Sequence, residues 1–396
     1  MRVVIAGDFP EDPQVLVGGI QAVIYHTLTG LAAYADLELH VVSCEKWSQA
    51  SQIGRIIHRQ YPRWQTHHLP SPRAISHTRS MLTTDRRSVA DALRALQPDL
   101  IHAHGQAAAY PWAAFNTGLP TIVTVHGINH LEAAIDPRGG RLRGWLRRFI
   151  WEQTERACVR RARDIVIISP FVADTIRPYT RARLHTIENP VEEGLFHLTR
   201  RPTTPARILY VGSIQKRKGL ADLIEALGQV RAAGISAELR VAGACMDTYA
   251  AYGAHVRQLT QHLGLDAHVH FLGHLHRDAL LDEYAACTLF CLPSHLEASP
   301  VVVAEAMAAG CPVVTTTIPS TAHLIQDGES GYRAPAGDAG QLAQALRRVL
   351  ENPAEQQRLS ENARQIAQRR FSPQQAAAAT YQLYQACLYA QRPDAP

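Results

Sequence analysis

The chain has 396 residues, 46% of them hydrophobic and 19% charged, and a formal net charge of +5. This length exceeds one ordinary core, so two domains are expected, and the composition excludes a disordered or fibrous chain. No apolar run reaches the roughly 20 residues that cross a bilayer, and MRVVIAGDFP enters a strand without a signal-peptide pattern, so a soluble cytoplasmic protein is expected. The seven cysteines form no C-x-x-C pair and no histidine cluster has zinc spacing, which favours reduced thiols over disulfides or metal.

The first predicted element is a strand, VVIAG, after which Gly18 and Gly19 lead into helical IQAVIYHTLTGL. Paired glycines before a helix let the backbone approach an anion closely, although they also make plain turns. Strands LELHVVSC, LIHAHG, TIVTVHG, DIVIIS and LHTIEN follow, alternating with helical stretches. His102 and His104, two apart on one strand, lack a third metal ligand and read as structural. His126 follows a strand; it reads equally as a donor to a substrate oxygen or as a histidine satisfied within its loop. Between Arg138 and Arg163 stand nine Arg against two Glu, interleaved with Leu142, Trp145, Leu146, Phe149, Ile150 and Trp151. Such a basic amphipathic helix either suits anionic lipid or a lipid-linked substrate, or packs its apolar stripe on the core with its arginines solvated. No motif supports nucleic acid as a partner.

After the proline-containing LTRRPTTPAR the alternation restarts with ILYVGS, AELRVAG, HVHFLG, LFCLPS and PVVTTT, and from about Pro353 the chain is helical. Two series of βα repeats predict two doubly wound, Rossmann-like parallel sheets, with ligands beyond the carboxyl ends of the strands, in a cleft where the two sheets face. The expected division is an N-terminal domain 1–197, a C-terminal domain 198–370 and a helical tail 371–396 packing back toward the first domain. Lys216, Arg217 and Lys218 stand at the start of a helix, where cations oppose the helix dipole unless an anion is expected; two of the chain's three lysines are there. Next come Glu297 and Glu305, one in a loop and one in a helix for which Ser299 reads as the N-cap and Pro300 as the first residue. Flanked by Val303, Ala304, Ala306 and Met307, Glu305 needs a specific partner, and reads equally as a paired core acid or as a ligand contact.

Together these segments resemble retaining nucleotide-sugar glycosyltransferases of the GT-B fold, glycosyltransferase family 4. The resemblance spans almost the whole chain. Its most specific part is the E-x7-E pattern of Glu297 and Glu305 in LPSHLEASPVVVAEAMAAGCPVV, supported by YVGSIQKRKG, TVHG, VGGIQAV, IENPVEEGLF and IQDGESGY. It implies that Glu305 holds the donor ribose hydroxyls, that Glu297 faces the hexose, and that Ser299, Pro300 and Val301 begin the helix that receives the sugar and diphosphate. It further implies Lys218 at the diphosphate and backbone from Gly273 to Leu275 at the base; beside these, His126, Lys218 and Glu297 are the expected catalytic residues, and Gly18 and Gly19 are expected to bind substrate. Ser213 stands where the family often has Arg, and Arg217 or Lys216 is the substitute. Ala298 replaces a common glycine, and ENPVE departs from the usual Asn-Gly.

The expectation is therefore a hexosyltransferase using a nucleoside-diphosphate sugar, a UDP-sugar, as substrate and a hydroxyl acceptor that a lipid can carry. No cofactor and no metal are expected, and the 138–163 segment would place the protein peripherally on the inner membrane face. The rival readings are a nucleotide-sugar epimerase and a non-catalytic, membrane-associated sugar-binding protein. No G-x-G-x-x-G follows a strand, which argues against a dehydrogenase.

Overall fold

A computed structural model of the chain describes residues 1–12, 16, 18–44, 49–53, 55–71, 84–106, 109–135 and 141–390. Two compact units are present. One holds the chain up to Pro190 together with the chain from Pro373 onward, and the other holds Val191–Ser372. The division thus falls between Pro190 and Val191 rather than at 197/198, and the C-terminal helix Pro373–Tyr389 is part of the first unit.

The first unit is built on an eight-stranded sheet of β1 (Arg2–Ala6), β2 (Glu38–Ser43), β3 (Ile57–Gln60), β4 (Trp64–His68), β5 (Leu100–His104), β6 (Thr121–Val125), β7 (Asp164–Ile167) and β8 (Arg183–Thr186). Its order is β3-β4-β2-β1-β5-β6-β7-β8, parallel throughout except for the antiparallel edge pair β3–β4. Alternation along β1 shows how the sheet is covered. Val3 and Ile5 pack with Ile24, Leu28 and Leu31 of helix Gly19–Leu31 and with Leu383 and Tyr384 of the C-terminal helix. Val4 and Ala6 face the other way, against Val89 and Leu93 of helix Thr84–Ala95 and Tyr110 and Ala113 of Ala109–Phe115. A strand buried on both faces reads as a continuous apolar run, which is why RVVIA is legible in the sequence. Where the C-terminal helix meets the first helix, a Cβ on Gly30 would lie 2.4 Å from the Pro373 carbonyl oxygen, so the contact requires glycine.

The second unit is a six-stranded, wholly parallel sheet of β9 (Ala206–Val211), β10 (Ala237–Ala242), β11 (Val269–Gly273), β12 (Leu289–Leu292), β13 (Val313–Thr316) and β14 (Gly331–Ala334). Its order is β11-β10-β9-β12-β13-β14, so the winding reverses between β9 and β12. Helices Leu220–Ala232, Val301–Ala308 and Ala339–Leu350 bury their apolar faces in one continuous core with these strands. The fold class is therefore α/β, with two Rossmann-like parallel sheets. At such a reversal open α/β sheets bind ligands, in the crevice beyond the carboxyl ends of the strands, and the loops after β9 and β12 stand there.

Candidate active site

Both loops at that crevice carry the charged residues singled out in the sequence. After β9 the chain passes Ser213 and makes a one-turn 3₁₀ helix, Lys216–Lys218, that ends on Gly219 at φ 69°. A Cβ at Gly219 would lie 2.0 Å from the Pro293 carbonyl oxygen, so only glycine allows the turn to press against the loop after β12. The His295 amide donates to the Arg217 carbonyl at 2.7 Å and ties the two loops together.

Glu297, 7% exposed, is the hub. Its Oε1 accepts from Ser294 Oγ at 2.8 Å and lies 2.5 Å from Lys218 Nζ. Its Oε2 accepts from Arg217 Nη1 at 3.1 Å, and the same nitrogen donates to the Leu296 carbonyl at 3.2 Å. Burial pushes the carboxyl upward, but Lys218 and Arg217 outweigh it and hold Glu297 below the usual range. It is ionised at neutral pH. Two cations against one carboxylate leave these three side chains with net positive charge.

Glu305 is different. It sits on helix Val301–Ala308, where its Oε2 accepts from Tyr284 Oη at 2.9 Å, and among the described residues no cation pairs with it. Burial raises its pKa to about 7, and the Tyr284 hydrogen bond only partly opposes that. Part of its surface remains open. A carboxylate with one neutral partner and a raised pKa has acceptor capacity to spare.

Helix Val301–Ala308 starts at Val301 with extended Pro300 as its N-cap and no side-chain cap, which corrects the reading of Ser299 as the cap and Pro300 as the first residue. Proline has no N–H to satisfy, and its restricted φ suits the half-in position as well as the first turn. The amides of Val301 and Val302 have no acceptor within the helix, as at any helix start. Ser213 Oγ accepts from Gln215 Nε2, and its carbonyl accepts from buried Tyr210 Oη at 3.1 Å. Lys216 is exposed, whereas Arg217 reaches Glu297, so of the two candidate substitutes for the missing arginine Arg217 is the one at the site. Gly273 closes β11 at φ 69°, its carbonyl accepting from the Gly243 amide at 2.7 Å, and Leu275 packs on the core edge.

The remaining candidates belong to the first unit. Gly18 is the exposed N-cap of helix Gly19–Leu31, with extended backbone and open space within 4 Å of where a Cβ would stand, so neither conformation nor packing requires glycine there. His126 Nε2 is 2.7 Å from His104 Nδ1, with the rings stacked. Burial lowers His126 to about 4, so it is neutral at physiological pH. His102 is bound on both nitrogens, by Tyr384 Oη at 2.8 Å and Thr124 Oγ1 at 2.6 Å, a core histidine as its strand position suggested.

Sequence reasoning missed four partners. Tyr284, the only side chain bonded to Glu305 among the described residues, lies in another helix with no local pattern to mark it. His295 pairs with Asp222 at 2.7 Å beside the Lys216–Lys218 turn. Ser294 could have been found from its position three residues before Glu297. In the first unit, buried Glu155 accepts from the Asn129 amide at 2.7 Å, from His130 Nδ1 at 2.6 Å and from Gln106 Nε2 at 3.1 Å, organising the loop after His126. It hid inside the arginine-rich segment.

Comparison with known proteins agrees with this architecture. The family model described as Glycosyltransferase Family 4 matches residues 17–194, and that described as Glycosyl transferases group 1 matches residues 195–366. Glycogen synthase of Mycobacterium tuberculosis (strain CDC 1551 / Oshkosh) is 31% identical over 313 residues, which span 76% of this chain and 72% of that protein. Sucrose-phosphate synthase from Thermosynechococcus elongatus has a similar structure, with a TM-score of 0.83 at 20% identity over 98% of this chain and 100% of its own. HepE of Anabaena, solved in complex with UDP and glucose, gives a TM-score of 0.73 at 18% identity over 97% and 99% of the two chains. The two structures share the fold.

Proposed function

The chain belongs to the glycosyltransferases, with the two Rossmann-like sheets of the GT-B fold, and from that premise we propose that it transfers a hexosyl unit from a nucleoside-diphosphate sugar, a UDP-sugar, to a hydroxyl acceptor with retention at the anomeric carbon. The observation that carries this reading is the convergence of Lys218 and Arg217 on Glu297 where the loops after β9 and β12 meet, at the reversal of strand order. Two fixed cations there suit a diphosphate, and Glu297 holds them side by side in a buried setting where charge acts strongly.

In the proposed step the acceptor oxygen bonds to the anomeric carbon on the face from which the phosphate leaves. The bond from that carbon to the phosphate oxygen breaks, and the departing phosphate takes the acceptor proton. Lys218 and Arg217 stabilise the negative charge that develops on the diphosphate, so the reaction needs no metal. Glu305 accepts the ribose hydroxyls, with Gly273 to Leu275 at the base and Ser299 to Val301 near the sugar. His126, neutral through burial, serves the acceptor or the leaving phosphate as a hydrogen-bond donor rather than as a cation. The acceptor is a hydroxyl of a glycan, glycolipid or surface polysaccharide, met at the inner face of an anionic membrane.

The test is a panel of nucleotide sugars scored by thermal stabilisation, followed by transfer with the best of them and assignment of the product anomer by NMR. Stabilisation by a UDP-sugar and a product of unchanged anomeric configuration are expected. Conversion of the donor to another sugar nucleotide without acceptor would show an epimerase instead.

A further inference from the structure

The helix Arg141–Arg161 opens with RLRGWLRRF. Leu142, Trp145, Leu146 and Phe149 are 78%, 61%, 49% and 46% exposed, while Gly144 among them is buried. At about 100° per residue the four apolar side chains share one arc of the helix, and Gly144 lies on the opposite side, against the protein. Trp145 and Phe149 stack, with centroids 5.7 Å apart and planes at 12°. The packing of this stripe on the core, one of the two readings of the sequence, does not occur for these residues. Arg143 and Arg147 border the arc on one side and Arg148 on the other, and no acid occurs between Arg141 and Trp151.

We propose that this face docks on an anionic lipid bilayer. The four apolar side chains enter the boundary between headgroups and acyl chains, and the bordering guanidinium groups stay at the lipid phosphates. Charge selects this occupant. A second copy of the chain would bring the same arginines to the same place and set like charges against each other, whereas an anionic surface complements them. The aromatic pair suits the interface, where rings with large apolar area are favoured. The proposal deepens the membrane part of the function proposed above and does not depend on the donor chemistry.

Co-sedimentation of the full chain tests it. The protein should pellet with vesicles of phosphatidylglycerol and phosphatidylcholine at low salt, detach at high salt and ignore pure phosphatidylcholine. Joint Arg143→Gln and Arg148→Gln substitution should weaken binding by about thirtyfold, and joint Trp145→Ser and Phe149→Ser by at least about tenfold. Both variants should keep the wild-type melting temperature, since the four residues are exposed. Acyl chains carrying bromine should quench a fluorescence component that Trp145→Phe removes. Equal binding to both vesicle types, or binding unchanged in either double variant, overturns the proposal. So does a dimer that Trp145→Ser dissociates without any vesicle binding. Donor-induced stabilisation measured without lipid reports separately on the transferase reading, so either can fail alone.

Discussion

At the residue scale the two carboxylates were legible as a pair, but their different environments were not, because the side chains that set them come from other loops and helices. Glu297 is ionised by two cations, while Glu305 is raised to about 7 by burial with only Tyr284 against it. The folded pKa of Glu305 exceeds its unfolded value, so its contribution to stability is fully present below the unfolded pKa and is lost as pH rises through about 7. Glu305→Gln should therefore melt at a higher temperature than wild type above pH 7, with the advantage shrinking toward pH 5. Ribose hydroxyls need the carboxylate form, so wild-type donor affinity should rise with pH through about 7 and then level off. The variant should show a flat profile and about ten- to a hundredfold weaker donor binding. Calorimetric titration across pH checks both, and unchanged affinity in the variant would make Glu305 a structural acid. Glu297→Gln should lower kcat more than it raises donor KM, because it would no longer hold in place the two cations proposed to stabilise the leaving group. Its folded pKa is depressed, so the stability it contributes is present above the ordinary carboxylate range and lost as pH falls through the folded value. Melts of Glu297→Gln and wild type should differ at neutral pH and converge in acid.

At the element scale, strands buried on both faces announce themselves as apolar runs, whereas of the edge strands β8 and β11 were legible and β3 and β14 were not. β3 reads IHRQ and β14 is only GYRA; both escape a sequence reading because an edge needs neither apolar continuity nor length, and β4, which reads WQTHH beside the β3 edge, carries too many polar residues to form an apolar run. Turn geometry is equally hidden, since nothing near Gly219 in sequence points to Pro293. That glycine joins the two site loops, and Gly219→Ala sets a methyl group against a backbone oxygen at a positive φ. The strained backbone alone costs about 1–3 kcal/mol. The Lys216–Lys218 turn should also retreat from Glu297, so kcat/KM should fall further than the loss of stability explains at temperatures where the variant stays folded. Melting curves beside steady-state rates check this. A destabilised variant with wild-type kcat/KM would show that the turn does not position Lys218.

At the scale of the whole molecule, two series of βα repeats were enough to read two sheets, because each series closes its own core. The return of the C-terminal helix to the first unit was only partly legible. Its contacts, Tyr384 on His102 and Tyr381 stacked on Tyr34, join residues hundreds of positions apart with no periodic signature. What such a molecule needs in order to hold a diphosphate is a question of total charge at one place. Lys218 and Arg217 supply two positive charges beside a single carboxylate, and the proposed metal-free step rests on them. Transfer should accordingly survive EDTA, and added magnesium or manganese should change kcat by less than about twofold, far below the tenfold that 1.36 kcal/mol of barrier represents. UDP should raise the melting temperature equally with and without chelator, since saturating ligand at about 100 times Kd adds roughly 2.7 kcal/mol by mass action alone. Lys218→Ala should remove most of that stabilisation, because the cation is then missing in both conditions. Loss of transfer in EDTA with recovery on adding metal would place the neutralising charge on an ion instead of on Lys218 and Arg217, and the proposed metal-free step would fall with it.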